Sequence, residues 1–135
     1  MPRRPAIALV FIALAFAAWR TELAAQQAAS QLPEGVTPAR IAEGAKLFKG
    51  PGLCFACHGP EGKGAAGPDL TDTLWVQSNG TFSEIVQQIV SGVPQNRSKS
   101  GVMMPPRGGS SLNDEQVKAV AAYVWRLSHP TTPSR

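Results

Sequence analysis

The sequence predicts an all-α domain of three to four short helices joined by long Gly/Pro-rich loops. Three segments, around Ile41, Ile85 and Val120, repeat apolar residues at the spacing of one helix face, and each is bounded by a capping residue, a glycine or a proline. No run between them alternates apolar and polar residues as a half-buried strand does, and no internal repeat is present. Thirteen glycines and twelve prolines point to loops wrapped around something rather than to a bundle with short turns. At 135 residues, 43% apolar and 16% charged, the chain has the size and composition of one folded domain and no signature of wholesale disorder.

The N-terminus is organised differently. Arg3 and Arg4 precede an apolar run of 14 residues, 6–19. As a helix that run reaches about 21 Å, short of a hydrocarbon core of roughly 30 Å. Residues 1–25 therefore read as a cleaved export signal, with an uncleaved N-terminal anchor left open. The small-residue triplet Ala15-Phe16-Ala17 lies inside the apolar run, while a cut after Ala25 puts Leu23 where a small residue is preferred. Both alternatives place the domain outside the cytoplasm, in a periplasm and either free or tied to the inner membrane. Without Arg3, Arg4, Arg20 and Glu22 the net charge of +4 falls to +2, ten basic residues against eight acidic ones. Isolated charges of both signs with no basic run exclude a nucleic-acid binding surface.

Residues 26–36 read as a polar linker, residues 37–130 as the folded domain and residues 131–135 as a tail. Thr37-Pro38 is an N-cap followed by proline at the first helical position, where its missing N–H costs nothing. Ile41, Ala45 and Phe48 share one face with Leu47 beside them, and Gly50-Pro51-Gly52 stops the helix. Phe82, Ile85, Val86, Ile89 and Val90 mark a second helix, capped by Thr81 or Ser83 and ended by Gly92. Residues 93–111 carry almost no periodic apolar pattern, and a loop that long is usually functional or disordered. In the last helix Asn113 and Gln116 have capping-box spacing, and Asp114 and Glu115 suit the positive end of the helix dipole. Val117, Val120, Ala121, Val124 and Leu127 form its apolar stripe, which ends at Pro130.

The chemistry is carried by Cys54-Phe55-Ala56-Cys57-His58. The C-x-x-C-H pattern is that of c-type haem attachment. Two thiols three positions apart on one helical turn reach the two vinyl groups on one edge of the macrocycle, and the next histidine ligates the iron from one face. Covalent attachment keeps haem in a domain too small to enclose it by packing alone. A thioredoxin-like redox pair needs a βαβ setting that is missing here. A structural zinc site needs four ligands, and beyond this motif the chain offers only His129. A second feature is Met103-Met104 before Pro105, two methionines in a loop otherwise rich in Gly, Pro, Ser and charge, where a packing role is hard to supply.

Residues 39–128 resemble class I monohaem cytochromes c, especially the bacterial members related to the haem domains of cbb3-type oxidases. Gly44 and Phe48 match the family's Gly-x-x-x-aromatic contact with the C-terminal helix, where Val120 and Tyr123 are expected to meet them. Gly67-Pro68-Asp69-Leu70 matches its Gly-Pro-x-Leu, in which the proline carbonyl accepts the N–H of the haem-ligating histidine. The resemblance implies a cytochrome c fold wrapped around one covalent haem c, with Cys54 and Cys57 as attachment points and His58 as an axial ligand. The family's methionine ligand directly precedes a proline, which selects Met104 as sixth ligand and leaves Met103 to pack near the haem edge. Pro68 and Leu70 join the haem pocket. Arg107 is expected either to pair with a haem propionate or to be solvated at the surface. His129 reads as a solvated residue at a helix C-terminus, and Trp75, Tyr123 and Trp125 as core or haem-edge side chains.

With both axial positions filled, the implied function is one-electron transfer rather than enzymatic catalysis, in a monomer or a subunit of a complex. Its partners would be redox proteins, a dehydrogenase as donor and an oxidase or reductase as acceptor, docking weakly at one haem edge. A haem subunit of one specific dehydrogenase complex is an alternative. A haem enzyme or gas sensor with a displaceable methionine is another, although no distal His/Arg pair for peroxide chemistry is evident.

Overall fold

A computed structural model describes residues 32–130 together with Arg20. The expected signal or anchor (Arg20 apart), most of the linker and the tail lie outside the described residues. No helix among the described residues is long and apolar enough to cross a membrane.

Local rules start and stop each helix. Thr37 is extended and its side chain accepts the Arg40 N–H at 3.1 Å, opening α1 (Pro38–Lys49) with proline in its first turn. Gly50 and Gly52 both donate to the Leu47 carbonyl, at 3.2 and 2.9 Å, and turn the chain away. A single turn, α2 (Phe55–His58), follows. Helix α3 (Phe82–Ser91) has Thr81 at its N-cap, but that side chain makes no cap bond. Its start is instead tied by Glu84, which accepts the Asn79 backbone N–H at 2.7 Å and its Nδ2 at 2.9 Å. Helix α4 (Asp114–Ser128) carries the expected capping box. Asn113 Oδ1 accepts the Gln116 N–H at 3.0 Å, and Gln116 Oε1 accepts the Asn113 N–H at 3.0 Å.

The core lies between α1 and α4, closed on one side by α3. Phe48, Val117 and Val120 are its largest fully buried side chains. The expected stripe on α4 is buried at Val117, Val120, Ala121 and Val124, while Leu127 is half-buried and covers Gly62. Gly44 permits the crossing: a Cβ there would run into the Ala119 carbonyl and lie 2.9 Å from Tyr123 Cβ. Phe48 meets the Tyr123 ring edge-on, with centroids 5.3 Å apart and planes at 65°. Helices without a strand among the described residues make the all-α class that the sequence predicts.

Two regions depart from the sequence-based expectation. The packed chain begins upstream of Thr37: Val36 is 5% exposed, its N–H bonds Pro33 O at 3.0 Å, and Arg40 Nη1 holds Gly35 O at 2.9 Å. A mostly polar stretch hid one buried valine. Residues 93–111 also have internal order. They contain an isolated antiparallel bridge between Val93 and Met104 and two 3-10 turns, Gln95–Arg97 and Pro106–Gly109.

Candidate functional site

The site grows from the end of α1. Leu53 takes a left-handed φ of 58°, uncommon for a branched residue, and redirects the chain so that Cys54 opens the next turn. The Cys57 and His58 N–H groups bond Cys54 O at 3.3 and 3.0 Å, which puts both cysteines on one helical turn. Gly59, at φ 77°, ends it. The following loop folds back beneath the histidine: Gly64 N–H donates to His58 O and Gly67 N–H to Cys57 O, both at 2.8 Å.

His58 Nδ1 then lies 2.9 Å from Pro68 O. A carbonyl only accepts, so Nδ1 carries the proton and Nε2 keeps its lone pair for a metal. Burial lowers the His58 pKa, with the Pro68 contact opposing it in part, and the neutral ring is the form that ligates iron. Burial likewise pushes the Cys54 thiol up to about 11, against its own backbone hydrogen bond and with the neighbouring Cys57 adding to the rise. Gly67 leaves room for the ring, since a Cβ there would sit 2.9 Å from His58 Cε1.

Two adjoining cavities meet at this turn. The outer one, about 230 Å³ and partly open to solvent, has Cys54, Cys57, His58 and Pro68 on its walls with Met103 and Met104. The inner one, about 40 Å³, is apolar and includes Leu70, Trp75, Ile89 and Val120. Cys54, His58, Met104 and Gln88 line both. Seven of the eight residues expected at the site thus border one cleft. Arg107 is the exception. Its guanidinium donates to Leu112 O at 2.8 Å and pairs with Asp114 at 2.6 Å, tying the turn at residues 106–109 to the start of α4. His129 caps α4, its ring stacked on Trp125 at 4.2 Å and its Nδ1 2.9 Å from Trp125 O.

Gln88 is a site residue that sequence reasoning missed. It sits three residues after Ile85 on the face of α3 that turns to the cleft, and only its helical spacing from Ile85 gave a hint.

The cytochrome c family model matches residues 41–128, well over half of the chain. The chain belongs to the cytochrome c family. Among curated proteins it is similar to the cbb3-type cytochrome c oxidase subunit CcoP of Rubrivivax gelatinosus, 35% identical over 83 residues, or 59% of this chain and 24% of that protein. It is also similar to the cbb3-type oxidase subunit FixP of Rhizobium etli, 37% identical over 97 residues, or 70% of this chain and 32% of that one. The chain spans about a quarter to a third of the length of these relatives. No solved structure matches it significantly.

As a class I monohaem cytochrome c, this protein carries covalent haem c. Its residues fit the group: two thiols lie on one turn at the rim of an apolar cleft, and a histidine nitrogen is left free inside it.

Proposed function

We propose that this cytochrome is a one-electron carrier whose haem is attached through Cys54 and Cys57 and ligated by His58 and Met104. The observation that carries the reading is the placement of Met104. It shares the walls of both cavities with His58, whereas Met103 borders only the outer cavity and is 50% exposed. When bound, the haem supplies an iron that cycles between ferrous and ferric states. The chain's own residues prepare the site for that single task. Pro68 O holds the His58 ring in one orientation and keeps its proton on Nδ1. The Val93–Met104 bridge fixes the backbone of the methionine at 2.7 and 2.9 Å, so that little need move between oxidation states. The apolar lining of the inner cavity favours the less charged form of the iron and a raised potential.

Met104→Ala tests the ligand assignment. The expected wild type is low-spin, with a sulfur–iron charge-transfer band when oxidised and no response to carbon monoxide when reduced. The variant is expected to lose the band, keep covalent haem and bind carbon monoxide. A high-spin wild type that takes up carbon monoxide would instead mean an open iron, and a haem enzyme or gas sensor.

Export and a periplasmic location complete the proposal, supported by the basic and apolar N-terminus. The electron donors and acceptors are then redox proteins such as a dehydrogenase and an oxidase or reductase. A second reading, a haem subunit dedicated to one oxidoreductase complex, is favoured by relatives that are themselves oxidase subunits. Stoichiometric co-purification with one oxidoreductase would establish it over a mobile carrier.

A further inference from the structure

We propose that two glutamines, Gln95 and Gln77, latch the methionine loop and set how firmly Met104 holds the sixth position; this rests on the His58/Met104 reading. The loop is poor in main-chain bonds. Of residues 99–103, only Gly101 donates its N–H to another backbone group, Ser98 O at a long 3.4 Å. Side-chain amides supply what the backbone lacks. Gln95 Nε2 donates to Gly101 O at 2.7 Å while its Oε1 accepts the Met103 N–H at 3.1 Å. Gln77 Nε2 donates to Arg97 O at 3.1 Å while its Oε1 accepts the Lys99 N–H at 3.2 Å. Each amide thus spends both its ends on the loop. Ser98 Oγ closes the strap with a bond to Val102 O at 2.6 Å.

The two amides act from different places. Gln95 follows Val93 in its own 3-10 turn, so Met103 is held by Gln95 immediately before Met104 is held by Val93. Gln77 belongs to a separate loop and also lines the outer cavity, so its bonds tie the methionine loop to the opposite side of the cleft mouth. A solvated surface glutamine leaves its amide to water, and two such bridges onto consecutive stretches of one loop make an alternative to a strand ladder. Opening the loop far enough to withdraw Met104 has to break them. Both amides are neutral, so the latch holds at any pH at which the protein is folded. Gln95 and Gln77 are therefore positioning residues, acting on the iron through Met104.

The test uses the ferric holoprotein and imidazole, which competes with Met104 for the iron. Gln95→Ala and Gln77→Ala each remove two hydrogen bonds to the loop, and each is expected to raise imidazole affinity about tenfold, a modest net value for two exposed bonds. Gln95→Glu keeps the acceptor for Met103 but loses the donor to Gly101, and is expected to fall between Gln95→Ala and wild type. Gln87→Ala, on exposed α3 surface, is expected to match wild type. Helix melting followed by circular dichroism should stay near the wild-type value in all four. Unchanged imidazole affinity in both alanine variants, with Met104→Ala still raising it, would overturn the latch and leave the ligand assignment standing. A Met104→Ala variant with wild-type spectrum and imidazole affinity would overturn the assignment itself. Affinity that rises only in step with a falling melting temperature would mean general destabilisation and would also overturn the latch. Where Gln95→Ala yields no holoprotein, Gln77→Ala and Gln95→Glu decide by the same criteria.

Discussion

Gly44→Ala is expected to destabilise the domain strongly, although alanine is the better helix former. In an exposed helix interior the change would gain about 1 kcal/mol. Here the added methyl meets the Ala119 carbonyl, and it lies 2.9 Å from Tyr123 Cβ. A carbonyl in the middle of α4 is fixed by its own helix and cannot rotate aside, so α1 and α4 must separate. Overpacking of this kind costs about 1–3 kcal/mol, and a rigid backbone obstacle puts it at the upper end. Separation also loosens the edge-on contact of Phe48 with Tyr123, worth about 1 kcal/mol beyond its buried area. Against the propensity gain, the net loss is about 3 kcal/mol. In a domain of this size each kcal/mol moves the melting temperature by about 4–8 °C, so a fall of about 15 °C is expected. Thermal melts of wild-type and variant holoprotein, followed by circular dichroism, measure it directly. A variant that melts at or above the wild-type temperature would refute the reasoning, because it would mean that the two helices do not approach at Gly44.

Gly67→Ala is expected to disturb the haem side of the same fold. The new Cβ would lie 2.9 Å from His58 Cε1 and 3.0 Å from Nδ1, displacing the ring from Pro68 O. A ligand that loses this bond becomes less basic and supports ferric iron less well, so redox titration should give a higher potential; normal haem content with an unchanged potential would show that Gly67 imposes no constraint. Asp114 has a pKa below its usual 3.8, chiefly through the hydrogen bond and charge of Arg107. A depressed carboxylate pKa stabilises the folded state above the unfolded value, and that contribution is lost as pH falls through the folded one. Asp114→Asn should therefore lower the melting temperature slightly at pH 7, and the difference should disappear once the pH is well below 3.8; a difference that persists in acid would assign the effect to something other than this charge.

What could be read from the sequence followed local rules. The Thr37 cap, the Asn113–Gln116 capping box and the stop at Gly50 to Gly52 each depend on residues within one or two turns. The pentapeptide at Cys54 to His58 has its meaning in its spacing alone. Arg107 did not have this advantage. Its left-handed φ of 54° and its pairing with Asp114 arise because the turn at 106–109 meets the beginning of α4, and no motif or apolar periodicity announces that meeting. Val36 was hidden by polar neighbours, since composition averages over a segment while burial is decided residue by residue. Gln77, Gln88 and Gln95 escaped for a different reason. Glutamine has no motif, and what each one does depends on which backbone or cavity the fold brings near it.

The two methionines show how both kinds of information join. By sequence, Met103 and Met104 differ only in which one precedes proline. In the structure Met104 pairs with Val93 across an antiparallel bridge, and neighbouring residues of an extended chain point to opposite sides. One of the pair must then enter the inner cavity while the other turns to solvent, as the 50% exposure of Met103 shows. The bridge forms next to Gly92, whose left-handed φ of 65° ends α3, and a Cβ there would collide with the Met104 carbonyl. The end of α3, the bridge and the choice of methionine are thus one arrangement. It also makes the two sides of the proposed iron site unequal. His58 is held by a helical turn and a backbone carbonyl, to which haem attachment at Cys54 and Cys57 would add two thioether bonds, whereas Met104 depends on two backbone bonds and a strap of side-chain amides. Under stress the methionine side is therefore expected to give way first, so that in a thermal melt of the holoprotein the sulfur–iron band should vanish while the helical signal of the core around Phe48, Val117 and Val120 persists.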